Sequence, residues 1–354
     1  MFFKLPHSSS LYQYLLIILC LSLTACELKN QKVIKRTQFI MGTLVEITIQ
    51  ESDNDLAQHA INKSFNEMSR LEKIMSTHLP NSELSQLNTL ARRETKITVS
   101  SDLLKVIQRG VHWGKLSNGA MDITIGPAVK LWEFNTETPT LPDAAKLQEA
   151  TSFIDYKNIA IDGSSVSLKK TGMSLHLGAI GKGYAVDQAI GILKKMGVKS
   201  GLVNAGGDLM AFGFKKKTEA WHIGIQHPRK PEKIIASLDV RDKAVATSGD
   251  YQRYFIKDKV RFHHILNPKD GWPENQTMSA TVIADTVMDA DALSTALFIL
   301  GPKKGIGLIN SLEGVEGMIL SKLGFASYSS GFRNLPGLSL QGLENDLSQQ
   351  VATN

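Results

Sequence analysis

The stretch GLVNAGGDLMAFG, residues 201–213, places a glycine pair next to a short run of apolar residues. Such a run, bounded by glycine, is typical of a β-strand inside a sheet. Because glycine lacks a Cβ atom, Gly206 and Gly207 either turn the strand or let the backbone lie close to a ligand. The sequence alone leaves both interpretations open.

Strands and helices fall in separate parts of the chain. Several short strands are predicted between about residues 201 and 283, and an alternating strand is predicted within QFIMGTLVEITIQ, residues 38–50. Apolar residues at helical spacing predict four helices, at about residues 61–75, 103–113, 181–196 and 290–300. This grouping favours an α+β fold over regular βαβ winding.

The N-terminus has the features of an export signal. Lys4 precedes the run LYQYLLIILCLSL, which has the length of a signal-peptide core and is short for a membrane span. The run ends in LTAC, which resembles the lipobox of bacterial lipoproteins, where the cysteine is diacylated after cleavage. The alternative is an ordinary cleaved signal with a chance cysteine.

We therefore expect four segments along the chain. They are a signal peptide at 1–25, a linker at 26–37 that begins with lipidated Cys26, a domain at 38–335 and a polar tail at 336–354. The lipid would anchor the domain to a bacterial membrane, facing the periplasm. Nothing in this pattern decides between the inner and the outer membrane.

Cysteine content and charge limit the chemistry. The only cysteines among the 354 residues are Cys20 and Cys26, so the mature chain would hold no thiol for a disulfide or a metal. Any metal would bind through oxygen or histidine. The net charge of +6 suits an anionic small molecule or a membrane surface. No nucleic-acid partner is expected, because the basic clusters are short and lack interleaved aromatic residues.

A carboxylate and a hydroxyl lie four residues apart near the C-terminal end of the predicted domain. Asp291 and Thr295 in MDADALSTALFIL would share one face of a helix. Oxygen ligands without thiol or imidazole suit Mg²⁺. Alternatively, Asp291 favours the helix dipole and Thr295 packs in the core. Asp289 fits a charge at the helix start better than a ligand.

Two more stretches could bind an anion or hold a buried acid. LGAIGKGYAVD, residues 177–187, brings three glycines and Lys182 to the start of a helix, where free N–H groups attract anions, although a plain turn is the alternative. Asp122 lies in an apolar stretch, so it needs hydrogen bonds, structural or ligand-directed. Neither a Walker loop nor the Gly-x-Ser-x-Gly elbow of serine hydrolases occurs.

Two adjacent histidines occur in FHHILNPKDG, residues 262–271. Neighbouring residues of a strand point to opposite faces, so His263 and His264 should not enter the same pocket. By the same alternation, His263 should share its face with Arg261. Histidine is the side chain best suited to accept a proton near neutral pH.

Taken together, these stretches resemble the ApbE-type family of FAD:protein FMN transferases. All seven family motifs occur in family order. They are MGT at 41–43, GAMDITIGPAVKLW at 119–132, LGAIGKGYAVD at 177–187, VNAGGDL at 203–209, ATSGDY at 246–251, HILNPKDG at 264–271 and DADALSTALFILG at 289–301.

The resemblance implies an ApbE-like (T-fold-like) α+β fold, with mixed sheets packed with helices and an active-site cleft between two lobes. It implies a Mg²⁺-dependent reaction that splits FAD at its pyrophosphate. FMN would be joined by a phosphoester to a threonine hydroxyl of an exported or membrane redox protein, and AMP would leave. Acceptors in the family are typically redox subunits of the sodium-pumping NADH:quinone reductase (Nqr) or of the related Rnf complex.

The resemblance also assigns residues. The catalytic base would be His264, and the metal would be held by Asp291, Thr295 and the carbonyl of Ala179. The positions that match FAD contacts are Met41, His78, Ala120, Met121, Asp122, His176, Lys182 and Ile265. The chain departs from the family pattern at His176, where aspartate is common, and near His78, where tyrosine is common.

Two alternative functions would use the same residues. A Mg²⁺-dependent FAD pyrophosphatase would pass FMN to water, giving FMN and AMP. A lipoprotein that binds FAD without catalysis would store or deliver the flavin. The pairing of Asp291 with Thr295 favours a reaction over storage.

Overall fold

The structure, a computed structural model, describes residues 32–90, 95–134, 136 and 138–341. The described residues from Val33 onward belong to one unit. The expected signal peptide, lipidated Cys26 and residues 342–354 of the expected tail lie outside the described residues.

The strands form one eight-stranded sheet, two three-stranded sheets and one hairpin. In chain order they are β1 (Lys32–Ile40), β2 (Thr43–Glu51), β3 (Ile97–Thr98), β4 (Ile159–Asp162), β5 (Ser165–Leu168), β6 (Gly201–Ala205), β7 (Asp208–Phe212), β8 (Trp221–His227), β9 (Lys230–Val240), β10 (Lys243–Gly249), β11 (Tyr254–Lys257), β12 (Val260–His263), β13 (Thr277–Ala284), β14 (Glu316–Ser321), β15 (Ala326–Tyr328) and β16 (Ser339–Leu340).

The main sheet has the order β1-β2-β6-β7-β10-β13-β14-β15. From β2 to β15 each neighbouring pair runs antiparallel. The small sheets have the orders β16-β9-β8 and β3-β5-β4, and β11 pairs with β12 alone. The strands expected between residues 201 and 283 are therefore present, but they are shared between the main sheet, one three-stranded sheet and the hairpin.

The helices include all four predicted from apolar spacing. Among the described residues they are α1 (Asn54–Met75), α2 (Glu83–Leu90), α3 (Ser101–Leu116), α4 (Gly126–Val129), α5 (Ala144–Thr151), α6 (Gly181–Lys195) and α7 (Val287–Asn310). By length and composition, α7 is the one helix of the described residues that would span a membrane, yet 50% of its apolar window is buried inside the protein. The α+β prediction is confirmed.

In helix α1 the apolar residues at helical spacing form the buried face. Ile61, Phe65 and Met68 recur every three or four residues and are all buried. The Asp53 carboxylate caps the helix by accepting from the N–H of Leu56, which would otherwise lack a partner. The apolar face packs towards α6.

The main sheet is covered on both faces. Because strand residues alternate, Met210 and Ala246 face the core shared with α1, α3, α6 and α7. Their neighbours Leu209 and Val245 face a second core, shared with the sheet of β8, β9 and β16. This gives three layers, with helices on one side of the main sheet and a small sheet on the other.

The segment predicted as the first strand, residues 38–50, contains parts of two strands, β1 and β2, joined by a hairpin turn. Met41 and Gly42 both have positive φ, 55° and 69°, as in the two-residue type I′ turns that join antiparallel strands. The turn interrupts the alternation expected for residues 38–50. As a result Phe39, expected on the same side as Val45, is 72% exposed, whereas Ile40 is buried.

Both ends of the expected domain extend further than predicted. Residues 32–37, expected as linker, lie in β1 at the edge of the main sheet. Residues 339–340, expected as tail, form β16 and pair with β9. Polar composition suggested loose chain here, but one strand edge provides enough backbone hydrogen bonds to order a polar segment.

The glycine pair of residues 206–207 forms the turn between β6 and β7. Both glycines have positive φ, 65° and 102°, which residues with a Cβ atom rarely adopt. A Cβ atom on Gly206 would also collide with the hydroxyl of Thr43 in β2. The turn interpretation is therefore confirmed, and the turn starts β7 at Asp208.

Helices α6 and α7 touch at Gly183. A Cβ atom there would lie 2.7 Å from Cα of Met288 and closer still to the carbonyl of Val287. Asp187, one turn later, accepts from the N–H groups of Val287 at 2.8 Å and Met288 at 3.0 Å. Because these are free N–H groups of the first turn of α7, Asp187 fixes where that helix begins.

We expect Gly183→Ala to lower the free energy of unfolding by about 1–3 kcal/mol, because the added methyl group forces the two helices apart. Gly191→Ala in the same helix is the matched control, since a Cβ atom at Gly191 meets nothing within 4 Å. There alanine should raise stability by about 0.5–1 kcal/mol. Urea denaturation of both variants tests this, and equal effects would refute the close contact.

Candidate active site

An ammonium group at the start of α6 lies between two carboxylates. Lys182 forms an ion pair with Asp208, the first residue of β7, and its Nζ lies 3.7 Å from Oδ1 of Asp291 in α7. Both carboxylates are buried, at 3% exposure each. Burial acts to lower the pKa of Lys182, but the two acids outweigh it and raise that pKa, so the lysine is charged.

The carboxylate of Asp291 accepts a hydrogen bond from the N–H of Gly183 at 3.1 Å. Burial, and then the charge of Asp208, raise the pKa of Asp291 to about 7, while Lys182 acts in the opposite direction. Because Asp291 shares the ammonium of Lys182 with Asp208, its negative charge is only partly balanced. An additional cation at this carboxylate would therefore be stabilised.

Thr295 lies one turn after Asp291, on the same side of α7, as the sequence predicted. Its hydroxyl is 3.2 Å from the hydroxyl of Ser248 in β10, which also contacts Ser294 at 2.9 Å. Thr295 is only partly buried, so the packed-core alternative does not describe it fully.

Ala179 stands in the turn before α6. In a continuous helix the N–H of Gly183 would bond to the carbonyl four residues earlier, which is that of Ala179. Here that N–H donates to Asp291 instead. The carbonyl of Ala179 therefore does not accept from Gly183 as it would in a continuous helix.

Asp289 has a different environment from Asp291. Its oxygens accept from Nε of Arg109 at 2.5 Å and from Nε1 of Trp113 at 2.8 Å. Its backbone N–H donates to the hydroxyl of Thr286, the N-cap of α7. The prediction of a charge at the helix start, and not a ligand, agrees with these contacts.

The two adjacent histidines lie in different environments. His263, at the end of β12, is 3% exposed and donates through Nε2 to the carbonyl of Glu274 at 2.7 Å. Its Nδ1 accepts from the N–H of Ile265, and its ring meets Phe298 edge-on at 5.5 Å. Both ring nitrogens are thus used inside the protein. His263 is therefore turned into the protein, and it does not share an environment with His264.

His264 is partly exposed, and Nδ1 lies 3.3 Å from the carbonyl of Arg253. Because a carbonyl only accepts, Nδ1 carries the proton and Nε2 has a free lone pair. Burial, followed by the charges of His263 and Arg253, lowers the pKa of His264 to about 3. The ring is therefore neutral at pH 7 and can accept a proton.

Arg253 connects the separate parts of the site. Its Nη2 donates to the carbonyl of Gly42 at 2.9 Å, and its charge acts on Lys182, His176 and His264. Burial, then His78 and Arg253, lower the pKa of His176 to about 4. The charge of Arg253 thus reaches Lys182 and both neutral histidines, and Lys182 pairs with the two buried acids, an arrangement that suits an anion with a cation bound to it.

The loop at 120–122 adjoins this space through the backbone. The N–H of His176 donates to the carbonyl of Ile123 at 2.8 Å. Asp122 accepts from the hydroxyl of Thr124 at 2.6 Å and from the N–H of Tyr156 at 2.9 Å, and burial raises its pKa. The Asp122 carboxylate therefore has a structural role, one of the two alternatives that the sequence left open.

The remaining predicted positions fall into two groups. Met41 and His78 lie at a hairpin turn and in an exposed segment, where side chains can reach a ligand. Ala120, Met121 and Ile265 are buried, at 7%, 1% and 6% exposure. Lys182 lies near Asp291, and its charge acts on His264. The charge of His78 acts on His176.

Sequence reasoning missed Asp208 and Arg253. An acid that follows a glycine pair and opens a buried strand needs a cationic partner, and this signal could have identified Asp208. Arg253 carries no such signal, because its position depends on the hairpin of β11 and β12 folding towards Gly42.

The donor set fits a hard divalent cation that uses few protein ligands. In the part of the chain that the structure describes, no three His, Cys, Asp or Glu side chains are placed so that together they could hold a metal ion. A carboxylate, a hydroxyl and a backbone carbonyl remain, all of them oxygen donors. Mg²⁺ is characteristically bound by one or two carboxylates, with water and substrate phosphates completing its shell.

Comparisons with known proteins agree on one family. A model described as the ApbE family matches residues 41–319. Over 306 residues the chain is 30% identical to a Treponema pallidum (strain Nichols) protein named FAD:protein FMN transferase, covering 80% of this chain and 83% of that one. A Haemophilus influenzae protein of the same name is 32% identical, covering 82% of this chain and 87% of its own length.

Solved structures give the same result. The crystal structure of the ApbE protein from Thermotoga maritima MSB8 superposes with a TM-score of 0.80 at 31% identity, covering 86% of this chain and 99% of that one. The apo form of Pseudomonas stutzeri flavinyl transferase ApbE superposes with a TM-score of 0.77 at 29% identity, covering 87% and 98%.

The two histidines should differ in their effect on stability. His263→Ala removes a buried hydrogen bond and leaves a cavity against Phe298, so we expect a loss of about 2 kcal/mol or more in the free energy of unfolding. His264→Ala should lower it by less, about 1 kcal/mol or below, because the ring is partly exposed and makes one long hydrogen bond. Urea denaturation of both variants measures the difference, and the reverse order would contradict the assignment.

Proposed function

The chain belongs to the ApbE family, and we propose from this premise that it is a FAD:protein FMN transferase. The observation that carries the proposal is that Lys182, which lies 3.7 Å from Asp291, is near enough to the neutral His264 for its charge to act on that ring. This combination provides charge for a pyrophosphate and a base for a hydroxyl, which are the two requirements of phosphoryl transfer to a protein.

In the proposed reaction a threonine hydroxyl of the acceptor attacks the phosphorus on the FMN side of the FAD pyrophosphate. A new P–O bond joins FMN to the threonine as a phosphoester. The bond between that phosphorus and the bridging oxygen breaks, and AMP leaves with the bridging oxygen. The hydroxyl proton passes to the base, so atoms and charge balance without an external oxidant or reductant.

The proposed flavin site lies between the β1–β2 turn and the loop at 120–122. Met41, His78 and His176 would contact the dinucleotide with their side chains, and the buried Ala120, Met121, Asp122 and Ile265 would shape the wall behind them. Lys182 and Arg253 would meet the phosphates. Their positive charge, with Asp208 as structural counter-ion to Lys182, matches the negative charge of a pyrophosphate.

His264 is the proposed general base. Its Nδ1–H is held by the carbonyl of Arg253, which fixes the tautomer and directs Nε2 outward. Nearby positive charge contributes to its low pKa in the free protein. Phosphates bound to Arg253 and Lys182 offset that positive charge, so the pKa rises when substrate is present and the ring becomes a better base.

We propose that Asp291, Thr295 and the carbonyl of Ala179 hold Mg²⁺. When bound, Mg²⁺ would supply charge neutralisation at the pyrophosphate oxygens. The protein's part is to keep Asp291 ionised and oriented, through the N–H of Gly183 and the ammonium of Lys182. The raised pKa of Asp291 supports this role, because the carboxylate has too little positive charge around it until a cation arrives.

We propose the location from the N-terminal sequence and the acceptor from the family resemblance. A lipid on Cys26 would hold the domain on a bacterial membrane with the site facing the periplasm. An exported or membrane redox subunit of the Nqr or Rnf type is then the proposed acceptor. Such subunits would be presented at the same surface.

Mass spectrometry of a co-expressed acceptor tests the proposed function. With the periplasmic domain of an Rnf-type subunit, we expect the mass of FMN, joined through its phosphate with loss of water, on one threonine. His264→Ala should lower the transfer rate by about 10²–10⁴-fold, the usual contribution of a general base, while FAD still binds. Free FMN and AMP without labelled acceptor would indicate a pyrophosphatase, and unchanged FAD would indicate a storage protein.

Asp291→Ala should abolish the dependence of turnover on Mg²⁺ and lower the rate by about 100-fold or more, the scale expected when one preorganised charge-stabilising contact is lost. Asp289→Asn is the matched control on the same helix, because that acid contacts Arg109 and Trp113 and not the site. A Mg²⁺ titration of turnover distinguishes the variants. Wild-type activity in Asp291→Ala would refute the metal assignment.

A further inference from the structure

A cavity of about 570 Å³ lies between the main sheet and the edge of the three-stranded sheet of β8, β9 and β16. Its floor is apolar and is formed by Leu209 and Val245 of the main sheet and by Ile223 and Ile225 of β8. Its rim is polar. An apolar floor with a polar rim is the usual form of a site that binds a peptide side chain.

One wall of this cavity is an unpaired strand edge. β8 is the terminal strand of its sheet and pairs only with β9 among the described residues. Residues 223–227 of β8 line the cavity along that edge. A free strand edge offers a row of backbone N–H and C=O groups, to which an extended peptide can add as a further strand.

The cavity lies beside the hairpin of β11 and β12, which leads into the proposed base, because Tyr254 and Arg261 of that hairpin line it. Gln252 lines it and donates through Nε2 to the carbonyl of Thr247 at 3.1 Å. The next residue, Arg253, is the one whose carbonyl holds His264. On the other side the turn of Gly206 and Gly207 lines the cavity and leads directly into Asp208.

The flavin does not account for this cavity. None of the residues proposed to contact FAD or Mg²⁺ lines it. Its charged rim residues are Arg229, which is paired with Asp250, and Arg261, which stacks on Tyr254 at 3.7 Å. The cavity therefore has its own wall and its own rim, and it lies beside the hairpin that leads into the base.

We propose that this cavity binds the segment of the acceptor protein that carries the target hydroxyl. The segment adds as a strand to the free edge of β8, places an apolar side chain on the floor and brings its hydroxyl to Nε2 of His264. The inference rests on the proposed function, since a transferase to protein needs a polypeptide site on a side of the base that the flavin does not occupy.

Gln252→Trp tests the proposal, because a large ring at this exposed position would obstruct the side of the cavity next to Arg253, whose carbonyl holds the base. With the periplasmic domain of an Rnf-type subunit as acceptor, kcat/KM for transfer should fall at least about tenfold, mainly through KM, the loss expected for one important interface contact. FAD affinity, measured by flavin fluorescence, should stay at the wild-type value. Gln148→Trp, an exposed glutamine of α5 outside the cavity, is the matched control and should leave both unchanged.

A photo-crosslinking residue provides an independent measurement. Benzoylphenylalanine at position 252 should crosslink to the acceptor within a few residues of its modified threonine, and at position 148 it should not. Wild-type transfer by Gln252→Trp, or a crosslink far from that threonine, would overturn the docking site while leaving the transferase intact. Weakened FAD binding in Gln252→Trp would also overturn it, by assigning the cavity to the flavin. Failure of the wild-type protein to label any acceptor would instead refute the proposed function.

Discussion

The contact between α6 and α7 at Gly183 is the constraint on which the rest of the site depends. Only a glycine allows the backbone of α6 to approach Val287 and Met288 so closely, and only at that distance can its N–H reach Asp291. The same contact brings Lys182 between Asp291 and Asp208. Two consecutive residues, Gly183 and Lys182, thus meet a packing requirement and an electrostatic requirement.

Of the two adjacent histidines, one stabilises the fold and the other is available for chemistry. Strand alternation sends His263 into the core, where both ring nitrogens find protein partners and the ring contributes to stability. His264 faces the other way, with one nitrogen held and one free. A shift of one residue in the register of β12 would exchange the two roles, so the hairpin of β11 and β12 has to be formed accurately for the base to exist.

The helices and most strands could be predicted because their signals are local. The spacing of Ile61, Phe65 and Met68 predicts α1, and the glycine pair at 206–207 indicated the β6–β7 turn as one of two interpretations. The type I′ turn at Met41 was missed because a methionine with positive φ is unusual. Asp208 and Arg253 could not be connected to Lys182 and His264, since their contacts depend on sheet order and on the position of the hairpin. The sequence therefore indicated which residues of the candidate site could act, but only the tertiary structure shows which residues lie next to them.

The central claim is that the oxygens of Asp291, Thr295 and Ala179 hold the divalent cation beside the flavin pyrophosphate. A crystal structure of the protein soaked with FAD and Mn²⁺, with the metal located by anomalous scattering, tests it most directly. We expect one anomalous peak at about 2.0–2.2 Å from an oxygen of each of the three residues, close to Mg²⁺–oxygen distances, with phosphate oxygens completing the coordination shell. A peak held elsewhere, or bound by phosphates without Asp291, would contradict it.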